Sequence, residues 1–186
     1  MDRLHDIITG LYLPEEEPEI RPAPTAAGVS AVRPLTGPSQ DVALVFQQFA
    51  LYPWLTVAQN IEQALIPRNL KPAERKHRVA EAVTLIGLDG FEEAYPRELS
   101  GGMKQRVGIA RALAVQPEVL CMDEPFSQVD ALTAETLRNE VVNLWRDLGK
   151  YPLSILMVSH DIHEVAFMAS RILIASANPG HIKTVI

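Results

Sequence analysis

Ser100, Gly101 and Gly102 open an apolar-periodic run that continues to Leu113. A hydroxyl residue followed by two glycines is a helix start whose backbone N–H groups no large side chain crowds. Those groups and the helix dipole attract an anion, so the chemistry on offer is phosphate binding. Further on, Asp123 and Glu124 follow the apolar run Val119–Met122 and precede Pro125. Side chains at successive positions of a strand end diverge. One carboxylate can therefore hold Mg2+ while its neighbour orients a water for attack on a phosphoryl group. Taken alone, an apolar run ending in Asp-Glu is common and decides little. His160, just after Ile155–Val158, and Gln47, just after Val42–Phe46, say less still when taken singly. A lone histidine is more often structural than catalytic.

These residues need elements to place them. Val42–Phe46, Val119–Met122 and Ile155–Val158 are short apolar runs with β-branched members, predicted as buried strands, and Ile172–Ala175 as a fourth. Ala58–Leu65 has helical spacing, as does the stripe Val79, Ala82, Val83 and Ile86 after Pro72, which Gly87 closes. The helix opened by Ser100 has Met103, Val107, Ala110 and Ala114 on its apolar face, and Gly108 inside it hints at close packing. Ala131–Gly149 is predicted helical with Leu137, Val141, Leu144, Trp145 and Leu148 on one side, and Ile162–Ser170 is a shorter helix. Near the start, Leu4–Leu13 has helix spacing ended by Pro14, and the proline-rich stretch to Pro38, with Glu15–Glu17, reads as loop and solvated surface. The aromatic segment Phe49–Val57 reads either as a protein contact or as a cap on the core. Strands alternating with helices, each strand followed by polar residues, indicate an α/β fold with a mainly parallel sheet, whose ligands lie beyond the carboxyl ends of the strands.

The chain has 186 residues and a formal net charge of −6, which argues against a general nucleic-acid binder. No apolar run approaches the roughly 20 residues that span a bilayer, so membrane association is expected through a partner. The single cysteine, Cys121, has apolar neighbours and is expected to serve as a small buried hydrophobe.

In combination the motifs are far more specific. Gln47, LSGGMKQRVGIARAL from Leu99, VLCMDEP from Val119, Ser127-Gln128-Val129-Asp130 and Ser159-His160-Asp161 occur in the order and approximate spacing of ABC transporter ATPases. The chain resembles that family over nearly all its length. More narrowly, FALYPWLTV from Phe49, GLDGFEEAYPRELSGGMKQRVG from Gly87 and ASANPGHI from Ala175 resemble the subgroup that imports nitrate, sulfonate and taurine. The resemblance implies a P-loop NTPase-like α/β core at about 1–48 and 115–186, with a helical signature subdomain at about 49–114. It implies ATP and Mg2+ as ligands. Gln47 and Asp123 match the Mg2+-site residues, Glu124 the general base and His160 the switch histidine that contacts the γ-phosphate. Ser100, Gly101, Gly102 and Gln105 match the signature that meets nucleotide held by the opposing subunit, and Asp130 the dimer-interface aspartate of the D-loop. The Ser-Gln-Val-Asp here departs from the family's usual Ser-Ala-Leu-Asp, although the aspartate is kept. Implied partners are a transmembrane permease, a second ATPase subunit in a homo- or heterodimer and, indirectly, a periplasmic or extracellular substrate-binding protein. The implied location is cytoplasmic, peripheral on the inner face of the membrane.

One expected motif does not occur: G-x-x-x-x-G-K-[ST], the loop whose amides and lysine cradle phosphates. The resemblance places Leu4–Pro14 as the helix after that loop, implying a chain truncated at the N-terminus, without the P-loop strand, and also at the C-terminus. Hydrogen bonds to charged groups contribute about 1.5–3 kcal/mol each, so four or five missing phosphate contacts remove about 6–15 kcal/mol. Micromolar affinity is only about 8 kcal/mol in total. The chain as written is therefore expected not to hold ATP in its own half-site, and to expose unpaired strand edges. The alternative is a non-catalytic module that docks on a permease or donates its signature in trans to an intact partner.

Overall fold

The computed structural model describes residues 39–148, 154–177 and 180–186, with backbone alone for 144–148. The predicted helix Leu4–Leu13, the loop to Pro38 and the side chains of Leu144, Trp145 and Leu148 lie outside the described residues. Two compact units are distinguished, residues 40–170 and a second containing 171–186.

In the larger unit, β1 (Val42–Val45), β2 (Val119–Asp123) and β3 (Ser154–Val158) form a parallel sheet in the order β1-β2-β3. Val42 lies opposite Val119 and Val45 opposite Met122, while Val119 lies opposite Ser154 and Asp123 opposite Val158. This register brings the carboxyl ends of all three strands side by side. The central strand carries the burial: Leu120, Cys121 and Met122 are enclosed. Burial raises the pKa of the Cys121 thiol, as suits a core hydrophobe. On β1 only Val45 is fully buried and Phe46 is exposed, a correction to the expected buried strand. Within the described sheet β1 is an edge, with one neighbour to cover it.

Five α-helices are described in this unit. Helix α1 (Val57–Leu65) begins with a reciprocal cap between Thr56 and Gln59. Helix α2 (Pro72–Leu85) is followed by Gly87 at φ +62°, the left-handed stop anticipated there. Helix α3 (Gly101–Ala114) is the one opened by Ser100, and α4 (Ala131–Leu148) follows β2. After β3 comes α5 (Ile162–Met168), a short fifth helix.

Helix α3 is buried on two sides. Val107, Ala110 and Ala114 join Val57, Ile61 and Leu65 of α1 and Val79, Ala82 and Val83 of α2 in one apolar cluster. Ile109, Ala112 and Leu113 join Val45, Leu120, Met122, Leu137 and Val141 in a second, against the sheet and α4. The sequence pattern gave only the first of these faces. Apolar residues around most of its circumference mark a helix packed between two layers.

In the smaller unit, β4 (Leu173–Ala175) and β5 (Ile182–Val185) form an antiparallel pair, closed by reciprocal backbone hydrogen bonds between Ile172 and Ile186. Ile172–Ala175 was expected as a fourth strand alongside the buried ones. Its residues Leu173–Ala175 are instead exposed and satisfy their backbone with the local partner.

Candidate functional site

Because β1, β2 and β3 are parallel and in register, residues just past their ends converge. Gln47, two positions beyond β1, donates from Nε2 to Oε2 of Glu124 at 2.8 Å and to Oγ of Ser127 at 3.3 Å. His160, two positions beyond β3, places Nδ1 3.2 Å from the other Glu124 oxygen. An ionised carboxylate only accepts, so a neutral His160 ring could hydrogen-bond there only with its proton on Nδ1, and a charged ring would form an ion pair. The Glu124 side chain is 23% exposed and that of His160 75%. The histidine is thus a solvent-facing arm on a partly sheltered acid.

The turn carrying Glu124 is strained. Its φ is +41°, a region that costs a residue with a side chain of order 1–3 kcal/mol. Three bonds hold it there: its N–H reaches Val158 O at 2.9 Å, and its carbonyl accepts Ser127 N–H at 3.2 Å and Ser127 Oγ at 3.0 Å. Ser127 therefore braces both Gln47 and Glu124, a role its position in the sequence did not reveal. Asp123 is half-buried at the end of β2, directly before Glu124.

The anticipated Mg2+ fits the chemistry of these groups. Asp123 and the Gln47 amide offer hard oxygen donors, and Mg2+ keeps several waters and takes one or two carboxylates together with phosphate oxygens. Among the described residues no cluster of three or more His, Cys, Asp or Glu could hold a metal ion alone.

The second candidate region is the start of α3. Ser100 is its N-cap, and Oγ accepts Met103 N–H at 3.2 Å, so one N–H expected to be open is already used. Gly101 is exposed, whereas Gly102 is buried against α4: a Cβ there would lie 2.5 Å from Thr133 Cγ2. Thr133 is held in turn by Asp130, which accepts its N–H at 3.0 Å and its Oγ1–H at 2.6 Å. These bonds hold the exposed Asp130 carboxyl below its ordinary pKa. Gln105 is fully buried, and neither its Oε1 nor its Nε2 finds a partner among the described residues.

A third region lies between Gln47 and α1. Arg111, near the end of α3, donates to Ala50 O at 2.6 Å and to Phe49 O at 3.4 Å, and Gly108 leaves room for that carbonyl 3.5 Å from where a Cβ would stand. Burial lowers the Arg111 pKa, partly opposed by Tyr52. Buried Asn60 accepts Tyr52 N–H at 2.8 Å and donates to the carbonyls of Tyr52, Leu55 and Thr56. The turn so fixed displays Tyr52 and Trp54, the latter 68% exposed, as a tilted pair 5.7 Å apart. These two rings do not cap the core.

Sequence reasoning gave Ser159 no role of its own and passed over Glu164 and Arg138; Glu164 bonds to both of the others beside His160. The spacing of Asp161 and Glu164 reads as an ordinary helix cap. Asp161 does cap α5, accepting His163 N–H at 2.8 Å, but Glu164 turns elsewhere.

Comparisons with known proteins bear on the family and the fold. The sequence profile of the ABC transporter family matches residues 3–127. The nitrate import ATP-binding protein NrtD of Synechocystis sp. is 46% identical over 149 residues, covering 80% of this chain and 55% of that protein. The taurine import ATP-binding protein TauB of Yersinia pestis is 43% identical over 149 residues, covering 80% and 57%. The solved dimeric structure of an ATP-binding cassette in a post-hydrolysis state, bound to ADP and Pi, superposes with a TM-score of 0.60 at 36% identity, covering 72% of this chain and 58% of that one. This chain thus spans a little over half the length of the curated relatives it matches.

Proposed function

Since the chain belongs to the ABC transporter family, we propose that it is an ATP-binding and ATP-hydrolysing subunit of an importer for nitrate-, sulfonate- or taurine-like anions. The observation that carries this reading is the convergence of Gln47, Glu124 and His160 at the ends of three parallel strands. In this reading Glu124 accepts the proton of the attacking water and His160 contacts the γ-phosphate. Asp123 and Gln47 would hold Mg2+, which neutralises phosphate charge when bound. Ser100 and Gly101 serve nucleotide held by a second ATPase subunit, homologous or identical, with the buried Gly102 and Gln105 supporting them from within and Asp130 at the interface. Residues of about 49–114 form the helical signature subdomain, and about 1–48 and 115–186 belong to the catalytic core. A permease docks on the surface of Tyr52 and Trp54, next to Gln47, and a substrate-binding protein delivers the solute to it. No helix among the described residues is long and apolar enough to cross a membrane. The proposed place is the inner membrane face, through the permease.

The 186 residues contain no G-x-x-x-x-G-K-[ST], and we propose that they do not bind Mg-ATP unaided. Equilibrium titration of the isolated chain should show no saturation at micromolar Mg-ATP. That same feature favours the second reading, a module that lends its signature to ATP on an intact partner. Mixing the chain with an intact relative separates the two. If Glu124 works as a general base, Glu124→Gln lowers turnover; if the chain only lends its signature, Ser100→Arg abolishes its contribution and Glu124→Gln changes nothing.

A further inference from the structure

His160 has little packing to hold it. Its side chain is 75% exposed, yet the ring stands at hydrogen-bond distance from Glu124. What fixes its place must act through the backbone on either side, and both neighbours are anchored. Ser159 Oγ donates to Glu164 Oε2 at 2.6 Å and accepts the N–H of Asp161 at 3.0 Å, while Asp161 caps α5. The other Glu164 oxygen accepts from Arg138 Nη1 of α4 at 3.0 Å. Of the ion pairs among the described residues this is the most enclosed, with side chains 18% and 8% exposed. Enclosing two charges carries a desolvation cost that their attraction does not always recover, so such a pair is weak support for stability as its sole purpose.

We infer that Glu164 is a positioning residue for His160, acting through Ser159 and held in place by Arg138. The inference rests on the reading of His160 as a group at the nucleotide site. Asp130 immediately precedes helix α4 and Arg138 lies two turns into it, so one element ties the Asp130 loop to the His160 loop. Glu164 receives the position of α4 and passes it on to the residue before His160.

The test reads the His160 tautomer, because a ring donating to Glu124 carries its proton on Nδ1, whereas an unpartnered neutral imidazole favours Nε2. Long-range proton–nitrogen NMR on the full chain with 15N-histidine, recorded at a pH where the spectrum itself shows the rings to be neutral, gives the Nδ1–H fraction. Glu124→Ala calibrates the signal by removing the acceptor. Ser159→Ala leaves the Arg138–Glu164 pair intact and should lower the ratio of Nδ1–H to Nε2–H tautomer at least about twofold, the smallest change expected from losing one hydrogen bond. Glu164→Gln keeps an acceptor for Ser159 and should fall between Ser159→Ala and wild type. The rings of His77 and His163 should stay unchanged, reporting an intact fold. A wild-type His160 signal in both Ser159→Ala and Glu164→Gln, with the signal lost in Glu124→Ala, overturns the positioning role and leaves the His160–Glu124 pair standing. An Nε2–H ring already in the wild type overturns both.

Discussion

Glu124 and Ser100 stand at opposite extremes of how a chain can present polar groups to a ligand. Glu124 is held by side chains from neighbouring strand ends, Gln47 on one side and His160 on the other, on a backbone turned into the left-handed region. Ser100 and Gly101 bond little beyond their own helix, which owes its position to apolar contacts on two faces. The first arrangement stores strain and can rearrange when a ligand offers better partners. The second is stiff, and its chemistry resides in backbone N–H groups that need no side chain to find them. In the proposed reading, the charged group that reacts is left adaptable and the phosphate cradle is fixed by the core.

That contrast is open to breaking by substitution. The largest expected effect is at Gly102, where an added Cβ meets Thr133 at 2.5 Å. Gly102→Ala must push α3 from α4 or displace Thr133, and should lower unfolding free energy by about 1–3 kcal/mol in a denaturant titration. Glu124→Gly should act in the opposite direction. Relief of the +41° backbone angle should raise stability by about 0.5–1 kcal/mol, offset in part by the freer unfolded chain, while removing the proposed base. A loss of stability there would mean that the bonds of the Glu124 side chain outweigh the strain. The smallest effect concerns pH. The Asp130 carboxyl is lowered by its bonds from Thr133, so its contribution is fully present above the unfolded value of 3.8 and is lost as pH falls through the lower folded value. Asp130→Asn, which also caps helices, should flatten the acid limb of stability against pH and leave the neutral range nearly unchanged.

The parts legible in the sequence are those where one local pattern fixes the outcome. Val119–Met122 is apolar on both faces and forms the enclosed strand predicted for it, so Asp123 and Glu124 emerge at its end. Ser100 before Gly101 specified a cap, and Gly87 a stop. The rest depended on partners distant in sequence. The apolar text of Leu173–Ala175 is the same whether the strand joins a parallel sheet or pairs with Ile182–Val185, and the hairpin satisfied its backbone locally. Glu164 has the spacing of a capping residue, yet Arg138, 26 positions earlier, draws it away. Gln47, Glu124 and His160 were each recognisable by resemblance, but their mutual contacts follow from strand register, which no single motif contains.

The central claim is that Ser100, Gly101 and Gly102 serve nucleotide held by another chain. The measurement takes an intact relative whose own signature serine is replaced by arginine, once shown to have no ATP turnover by itself, and adds this chain to it. ATP turnover should return with the wild-type chain and stay absent with Ser100→Arg. Turnover that returns equally with Ser100→Arg, or not at all with a wild-type chain shown to bind the partner, contradicts it.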